Sequence, residues 1–419
     1  MFAPARMPDP PTDRRSQSGK GRARLSGAEP SLEWLLDPIS KKEFFEDFWE
    51  KQPLVIKRSQ PNYFNSLLSL DEVDRVLTTL DRRYPDVTLK NANGNITADE
   101  YTVGEDSLDV AKIYQLFNEG STITLAYLDT VVPALASLCR SLESQFSSPF
   151  QTNVYLTPPR AQGAKHHYDT HDVLVLQVVG AKQWMIYGTP VELPLRGQDF
   201  DPAVHEQGAC KLEFELEPGD TAYIPRGVVH DARSTDDVSL HITVGVLSST
   251  WTDLLLELVA EVCLNDAAFR KALPPGFAAN EFDRTPARET VRKLLQKIAA
   301  QSNFDAILDR FVDELISTCP PLLRGQMAQI ASLEHLTINS VVGARKGVIS
   351  HLRTNAETTS VDSYGRTITF PSHADEAVRF ALSNSEFVVR GLPGALDDAG
   401  KLALVRRLIR EGLLKYREK

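Results

Sequence analysis

The spacing of apolar positions changes along this chain, and the changes mark out its parts. Behind Ser40-Lys41-Lys42-Glu43, a capping-box sequence, Phe44, Phe45, Phe48 and Trp49 fall at helical spacing. Pro53 ends that helix, and Leu54-Val55-Ile56 reads as a buried strand. Between 150 and 247 the pattern turns to short strands and turns. Val173–Val179 is an apolar run broken only by Gln177, and Trp184–Tyr187 follows across a turn at Gly180. Phe214 and Leu216 alternate with Glu213, Glu215 and Glu217. Leu240, Ile242, Val244 and Val246 alternate with His241, Thr243 and Gly245. Evenly spaced short strands of this kind predict a β-sandwich or small barrel.

After Ser249 the period becomes helical. Trp251–Cys263 is densely apolar, Val291, Leu294, Leu295 and Ile298 form one stripe, and Ile307, Leu308, Phe311, Val312, Leu315 and Ile316 form another. These helices need a partner, either each other or a second subunit. Further on, Thr358–Val361 and Thr367–Phe370 predict a hairpin across Ser363-Tyr364-Gly365. Helices are expected near His373–Leu382 and over Asp398–Glu411, with Gly412 as the stop and a short strand at Leu413, Leu414 and Tyr416. Small helices with a hairpin suggest a winged-helix module. The expected division is a disordered tail over 1–30, a strand-rich domain over 31–250, a helical region over 251–342 and a winged-helix-like end over 343–419.

Composition narrows the class. A chain of 419 residues, 42% hydrophobic and 24% charged, is ordinary for a folded protein of two or three domains. A net charge of −10 gives no support to wholesale nucleic-acid binding. Lys401–Lys419 is locally basic and could meet phosphates. The cysteines at 139, 210, 263 and 319 form no CxxC pair, which points to a reducing compartment. No apolar run reaches the ~18–20 residues needed to span a membrane, and the N-terminus lacks the apolar core of a secretory signal. A cytoplasmic protein is expected, with the nucleus or nucleolus open for a eukaryotic source.

The chemistry concentrates in the strand-rich part, where six of the nine histidines lie between 166 and 241. His167 and Asp169 stand two apart, a spacing that puts both on one face of a strand. His230 follows the turn-rich Glu217-Pro218-Gly219-Asp220 and Pro225-Arg226-Gly227. Two histidines and one carboxylate make a facial triad whose opposite positions stay open, which suits non-haem Fe(II) and oxygen chemistry. On an ideal strand His166 points to the opposite face from the pair, and His171 lies beyond it. His205 falls in a loop, and His241 is expected to line the pocket without being a ligand.

These residues resemble the JmjC-type, or cupin-fold, ribosomal oxygenases. The resemblance is carried by Asn153-Val154-Tyr155-Leu156-Thr157-Pro158-Pro159, Gln162-Gly163, His167-Tyr168-Asp169, Val175-Leu176-Gln177 and Gly180-Ala181-Lys182-Gln183-Trp184. It continues through Glu217-Pro218-Gly219-Asp220, Pro225-Arg226-Gly227, His230, Ser239-Leu240-His241 and Thr250-Trp251, with Phe48-Trp49-Glu50-Lys51-Gln52-Pro53-Leu54 at the entry. It implies a double-stranded β-helix core with flanking helices, a helical dimerisation region and a C-terminal winged helix. It also implies Fe(II) held by His167, Asp169 and His230, with 2-oxoglutarate and O2 as cosubstrates. Lys182 would pair with the distal carboxylate of 2-oxoglutarate, and Asn153 and Tyr155 would line the cosubstrate pocket. His166, Thr170-His171 and Gly245 depart from the family pattern, which bears on the substrate and on the pocket's shape more than on the metal.

The implied activity is hydroxylation of a protein side chain, histidyl or arginyl, in a ribosomal protein, by a homodimer. N-methyl-lysine demethylation uses the same chemistry. A non-catalytic cupin and winged-helix regulator, or a zinc or manganese cupin enzyme, would share the ligands without the cosubstrate.

Overall fold

The computed structural model describes residues 14–15, 30–92, 94 and 96–416. The disorder expected of 1–30 therefore lies outside the described residues, 14, 15 and 30 apart. The chain divides into two compact units, 1–247 and 248–419. Among the described residues no helix is long and apolar enough to cross a membrane.

In the first unit β1 (Arg14–Arg15), α1 (Leu32–Leu36), α2 (Lys41–Glu43) and β2 (Leu54–Lys57) lead in. They are followed by α3 (Leu70–Thr79), β3 (Val87–Lys90), β4 (Thr102–Val103), β5 (Ser107–Leu108), α4 (Val110–Asn118), β6 (Thr122–Leu125) and α5 (Pro133–Phe146). The strand-rich part then runs β7 (Phe150–Thr157), β8 (Asp172–Val179), β9 (Lys182–Ile186), β10 (Leu212–Leu216), β11 (Thr221–Ile224), β12 (His230–Ser234) and β13 (Ser239–Val246). The large sheet has the order β1-β2-β11-β8-β13-β7-β6-β3, and a small sheet has the order β10-β9-β12. All pairings are antiparallel except β1 with β2. This is the cupin type of fold, a large antiparallel sheet with flanking helices.

Strand alternation sorts the residues of the large sheet onto two faces. Leu174, Leu176, Leu240, Ile242 and Val244 belong to the main core, together with Leu32, Leu35 and Phe44 of the helical entry and Leu135 and Leu138 of α5. Val173 and Val175 form a second core with Trp184, Ile186, Leu216 and Ile224 from the small sheet and its neighbours. The alternation read in β13 does not mean one wet face. All eight of its residues are buried, because His241, Thr243 and Gly245 face the interior between the sheets. Ser40 caps its helix as the capping-box sequence predicts, its hydroxyl accepting from the Glu43 amide at 3.1 Å. Beyond Glu43 the helix widens into a π turn over Phe44–Phe48.

The second unit holds α6 (Trp251–Asn265), α7 (Thr285–Gln301), α8 (Phe304–Thr318) and α9 (Gln326–Ala331). After these come β14 (Val341–Ala344), β15 (Ser350–Thr354), β16 (Thr358–Ser363), β17 (Arg366–Pro371), α10 (Asp375–Ser383), β18 (Phe387–Val388), α11 (Asp398–Arg410) and β19 (Leu414–Tyr416). The hairpin expected from sequence is β16 and β17, closed at Tyr364 and Gly365, both with positive φ. Gly412, at φ 78°, ends α11 as expected.

Leu176→Ala removes a fully buried side chain from the middle of the large sheet. It is expected to lower the unfolding free energy by ~2–5 kcal/mol in urea titration. Val204→Ala, at a position 72% exposed, is expected to change it by less than about 0.5 kcal/mol.

Candidate metal centre and its cavity

His167 and His230 are joined through their backbones. The His167 amide donates to the His230 carbonyl at 3.1 Å, and the His230 amide donates back at 2.8 Å, an isolated antiparallel bridge. The sequence reading placed His167 and Asp169 on one strand. Instead, His167 holds only this bridge and Asp169 lies in irregular chain, fixed where its carbonyl accepts from the Gly227 amide at 3.0 Å. The two segments thus pin each other.

A charge cluster reinforces that pairing. Arg226 Nη1 lies 2.6 Å from Asp172 Oδ2 and 2.6 Å from Glu50 Oε1. The Tyr223 hydroxyl donates to Asp172 Oδ1 at 2.6 Å and accepts from the Glu50 amide at 2.8 Å. Arg226, four residues before His230, is therefore tied to Asp172, three residues after Asp169. Both Asp172 and Arg226 are buried. Each has an oppositely charged partner and further hydrogen bonds, which offset the cost of its burial.

The three side chains then converge. Nε2 of His167 lies 3.9 Å from Asp169 Oδ1, and Nε2 of His230 lies 3.8 Å from Asp169 Oδ2. One donor atom from each of the three falls within 4.8 Å of the others. Nδ1 of His167 is 2.9 Å from the Lys165 carbonyl, and Nδ1 of His230 is 3.0 Å from the Val228 carbonyl. A carbonyl only accepts, so each Nδ1 carries a proton and it is each Nε2 that faces Asp169. Burial, and then the neighbouring His167, push the His230 pKa down to about 4 against the pull of Asp169, so its ring is neutral at pH 7. Burial works against the Asp169 charge, yet His230, His167, His171 and Lys90 together hold its pKa below the usual carboxylate range. Two imidazoles and one carboxylate on a common face are the donor set of a divalent transition ion. The residues present fit such an ion.

The trio opens on a cavity of about 670 Å³, mouth included. Lys182, Thr122, Thr124, Tyr155, Trp184, His241, Thr243 and Lys90 help to line it. Lys182 opens β9 and is buried, its Nζ donating to Thr157 Oγ1 at 3.0 Å and lying 3.4 Å from His241 Nδ1. With no carboxylate beside it, burial lowers its pKa to about 7. Burial, and then Lys182, hold His241 well below the ordinary histidine range, so it is neutral and its ring stacks on Tyr155 at 4.9 Å. Burial, and then Asp169, raise the Tyr155 pKa, which keeps its hydroxyl protonated.

Of the residues singled out in the sequence, His167, Asp169, His230, Lys182 and Tyr155 meet around this cavity, and His241 lines it as expected. Asn153 shares the strand face of Tyr155 but is not among the lining residues, and its Oδ1 accepts from the Tyr127 amide at 3.4 Å. Sequence reasoning missed Lys90, Thr122 and Thr124. Thr122 and Thr124 alternate with Ile123 and Leu125 in a strand buried on both faces, and that period-two polar pattern was the available signal. Among the described residues one other histidine–carboxylate group exists, Asp313, His351 and Asp362, but Arg353 already pairs with both of its carboxylates.

Replacing Arg226 by Ala would leave Asp172 buried beside Tyr223 without its cation. The unfolding free energy is expected to fall by ~3–5 kcal/mol in urea titration. Adding Asp172→Asn is expected to recover part of the loss.

Comparison with known proteins accords with this geometry. Residues 129–254 match the model of the JmjC domain. The chain is 30% identical over 320 residues to ribosomal oxygenase 1 of Danio rerio, covering 70% of this chain and 57% of the relative. It is 31% identical over 316 residues to the bifunctional lysine-specific demethylase and histidyl-hydroxylase NO66 of Branchiostoma floridae, covering 70% and 47%. The chain thus spans about half the length of these relatives. Among solved structures it shares its fold with the ribosomal oxygenase YcfD of Escherichia coli in complex with cobalt and 2-oxoglutarate. That match has a TM-score of 0.53 at 17% identity and covers 91% of this chain and 99% of the other. The chain is a JmjC-domain protein related to the ribosomal oxygenases.

Proposed function

We propose that this protein is an Fe(II)- and 2-oxoglutarate-dependent dioxygenase that hydroxylates a protein side chain, histidyl or arginyl, in a ribosomal protein. The observation that carries the reading is the pairing of the His167, Asp169 and His230 donors with a buried lysine in the same cavity. A 2-oxoacid dianion needs both, an ion for its oxo-acid end and a cation for its far carboxylate. The relatives' names and the cobalt and 2-oxoglutarate in the YcfD complex support the same assignment.

His167, Asp169 and His230 would hold Fe(II), which with 2-oxoglutarate and O2 supplies the oxidation that converts a substrate C–H to C–OH while releasing succinate and CO2. The chain's own residues do the rest. Lys182 fixes the distal carboxylate as a buried charge, with the Thr157 hydroxyl keeping its Nζ in place. Tyr155, protonated and backed by His241, offers a donor to the cosubstrate. Val173, Val175 and Trp184 exclude water between the two ends.

The name of NO66 keeps N-methyl-lysine demethylation as the second reading. The exposed apolar positions Trp251, Leu255 and Leu256 on α6 and Val291 and Leu295 on α7 support a homodimer formed through these helices. The elements after 343 are read as a winged helix whose basic end could contact nucleic acid, and the protein as cytoplasmic, or nucleolar in a eukaryote.

The test is succinate formation by Fe(II)-loaded protein given an acid extract of ribosomes. Stimulation by the extract is expected, with His167→Ala reducing turnover at least a hundredfold. Absence of turnover in protein shown to hold iron would remove the hydroxylase reading. A pH dependence follows from Lys182. Pairing with a carboxylate raises a pKa that stands at about 7 in the cavity, so binding takes up a proton above pH 7. Affinity for 2-oxoglutarate is expected to be flat below about pH 7 and to weaken roughly tenfold per unit above it. Calorimetry at pH 8 in two buffers of different ionisation enthalpy measures that uptake, and none is expected in Lys182→Met.

A further inference from the structure

Gly245 interrupts a strand that otherwise carries side chains throughout. It follows His241 and Thr243 on the inner face of β13, and its neighbours across the sheet are Gln151 on β7 and Val173 on β8. Its φ lies outside the left-handed range, so no turn demands glycine here. The demand is for space. A Cβ at 245 would stand 2.7 Å from Cδ2 and 2.8 Å from Nε2 of His171. The imidazole of His171 therefore fills the notch where the next inward side chain of β13 would be.

His171 is two residues beyond Asp169. It is half-buried and makes no hydrogen bond among the described residues. His166 is directed elsewhere, its ring against Phe200 at 5.8 Å. The inner face of β13 also gives a scale of depth. His241 lies beside Lys182, Thr243 comes next, and Gly245 with His171 stands roughly 13 Å further along the strand than His241. A cosubstrate stretched from Lys182 to His167, Asp169 and His230 would lie in the cavity that His241 and Thr243 line, and neither His171 nor Gly245 is among its lining residues. That leaves the Gly245 end of the strand, outside the cosubstrate's stretch, for the second substrate.

We propose that His171, seated in the notch that Gly245 leaves, forms the wall of the protein-substrate entrance and positions the incoming side chain by a hydrogen bond to its free imidazole. The 171/245 pair is then a specificity-determining element of this chain. The inference rests on the dioxygenase reading. Residue 171 belongs to the connection before β8 and residue 245 to β13, yet either can close or empty the same space.

The experiment compares wild type with His171→Ala, Gly245→Ala, the double variant and His171→Asn. Each is assayed for the dependence of hydroxylation on the concentration of acid-extracted ribosomal protein, followed by mass spectrometry of the modified peptide. Each is also assayed for 2-oxoglutarate binding with Mn(II) and for thermal unfolding. His171→Ala is expected to raise the apparent KM for the extract at least tenfold, with 2-oxoglutarate affinity within about twofold of wild type. Gly245→Ala is expected to do the same by displacing the ring. The double variant should be no worse than either single variant, because both act on one ring position. His171→Asn, which keeps a donor and an acceptor, should recover part of the loss. Wild-type KM in His171→Ala, or additive losses in the double variant, would overturn the proposal. So would a loss of 2-oxoglutarate binding equal to the loss of substrate. If wild type itself modifies nothing in the extract while binding metal and 2-oxoglutarate, the functional reading fails first and this proposal falls with it.

Discussion

The site depends on one backbone pairing, the two reciprocal hydrogen bonds between His167 and His230. Neither residue needs a neighbour in sequence to find its place, because each is the other's cross-strand partner. Asp169 is then held by the Gly227 amide, and the buried Asp172–Arg226 pair locks the same two segments a few residues further out. Glu50 and Tyr223 extend the lock to the helical entry of the unit. The three side chains are thus placed by main chain and buried charge, the kind of support that a coordination site needs.

The same unit tolerates a second electrostatic cost at the other end of the cavity. Lys182 is buried, and among the described residues its Nζ has the Thr157 hydroxyl and the neutral His241 as hydrogen-bond partners. Packing alone would be served better by an apolar residue, since a buried unpaired charge is destabilising. A cation kept under strain beside an open cavity makes sense as a group waiting for an anion. Preorganised donors at one end and an unpaired cation at the other define the length, the charge and the direction of what fits between them.

Much of this was legible from residue order. The apolar run of β8, the alternation of β13, the helical stripes after Trp251, the β16–β17 hairpin and the stop at Gly412 are local signals, and they survive in the structure. The convergence of His167, Asp169 and His230 also followed from residue type and spacing, although the reason offered was mistaken. The chain at 167–169 is irregular, and its geometry comes from the distant His230 and Gly227. What stayed hidden depended on packing between segments far apart in sequence. Thr122 and Thr124 reach the cavity only because β6 lies beside β7, and the contact of His171 with Gly245 exists only once β13 has paired with β8. Asn153 shows the converse, a residue placed on the right strand face whose side chain is taken up by the Tyr127 amide outside the cavity lining.

The most direct test of the proposed reaction follows the oxygen atom. Fe(II)-loaded protein, 2-oxoglutarate and acid-extracted ribosomal protein are incubated under isotopically labelled O2, and the peptides are analysed by mass spectrometry. The account predicts one labelled oxygen on a single side chain, dependent on 2-oxoglutarate and absent with Asp169→Ala. Protein that holds iron and 2-oxoglutarate yet transfers no labelled oxygen to any peptide would contradict it.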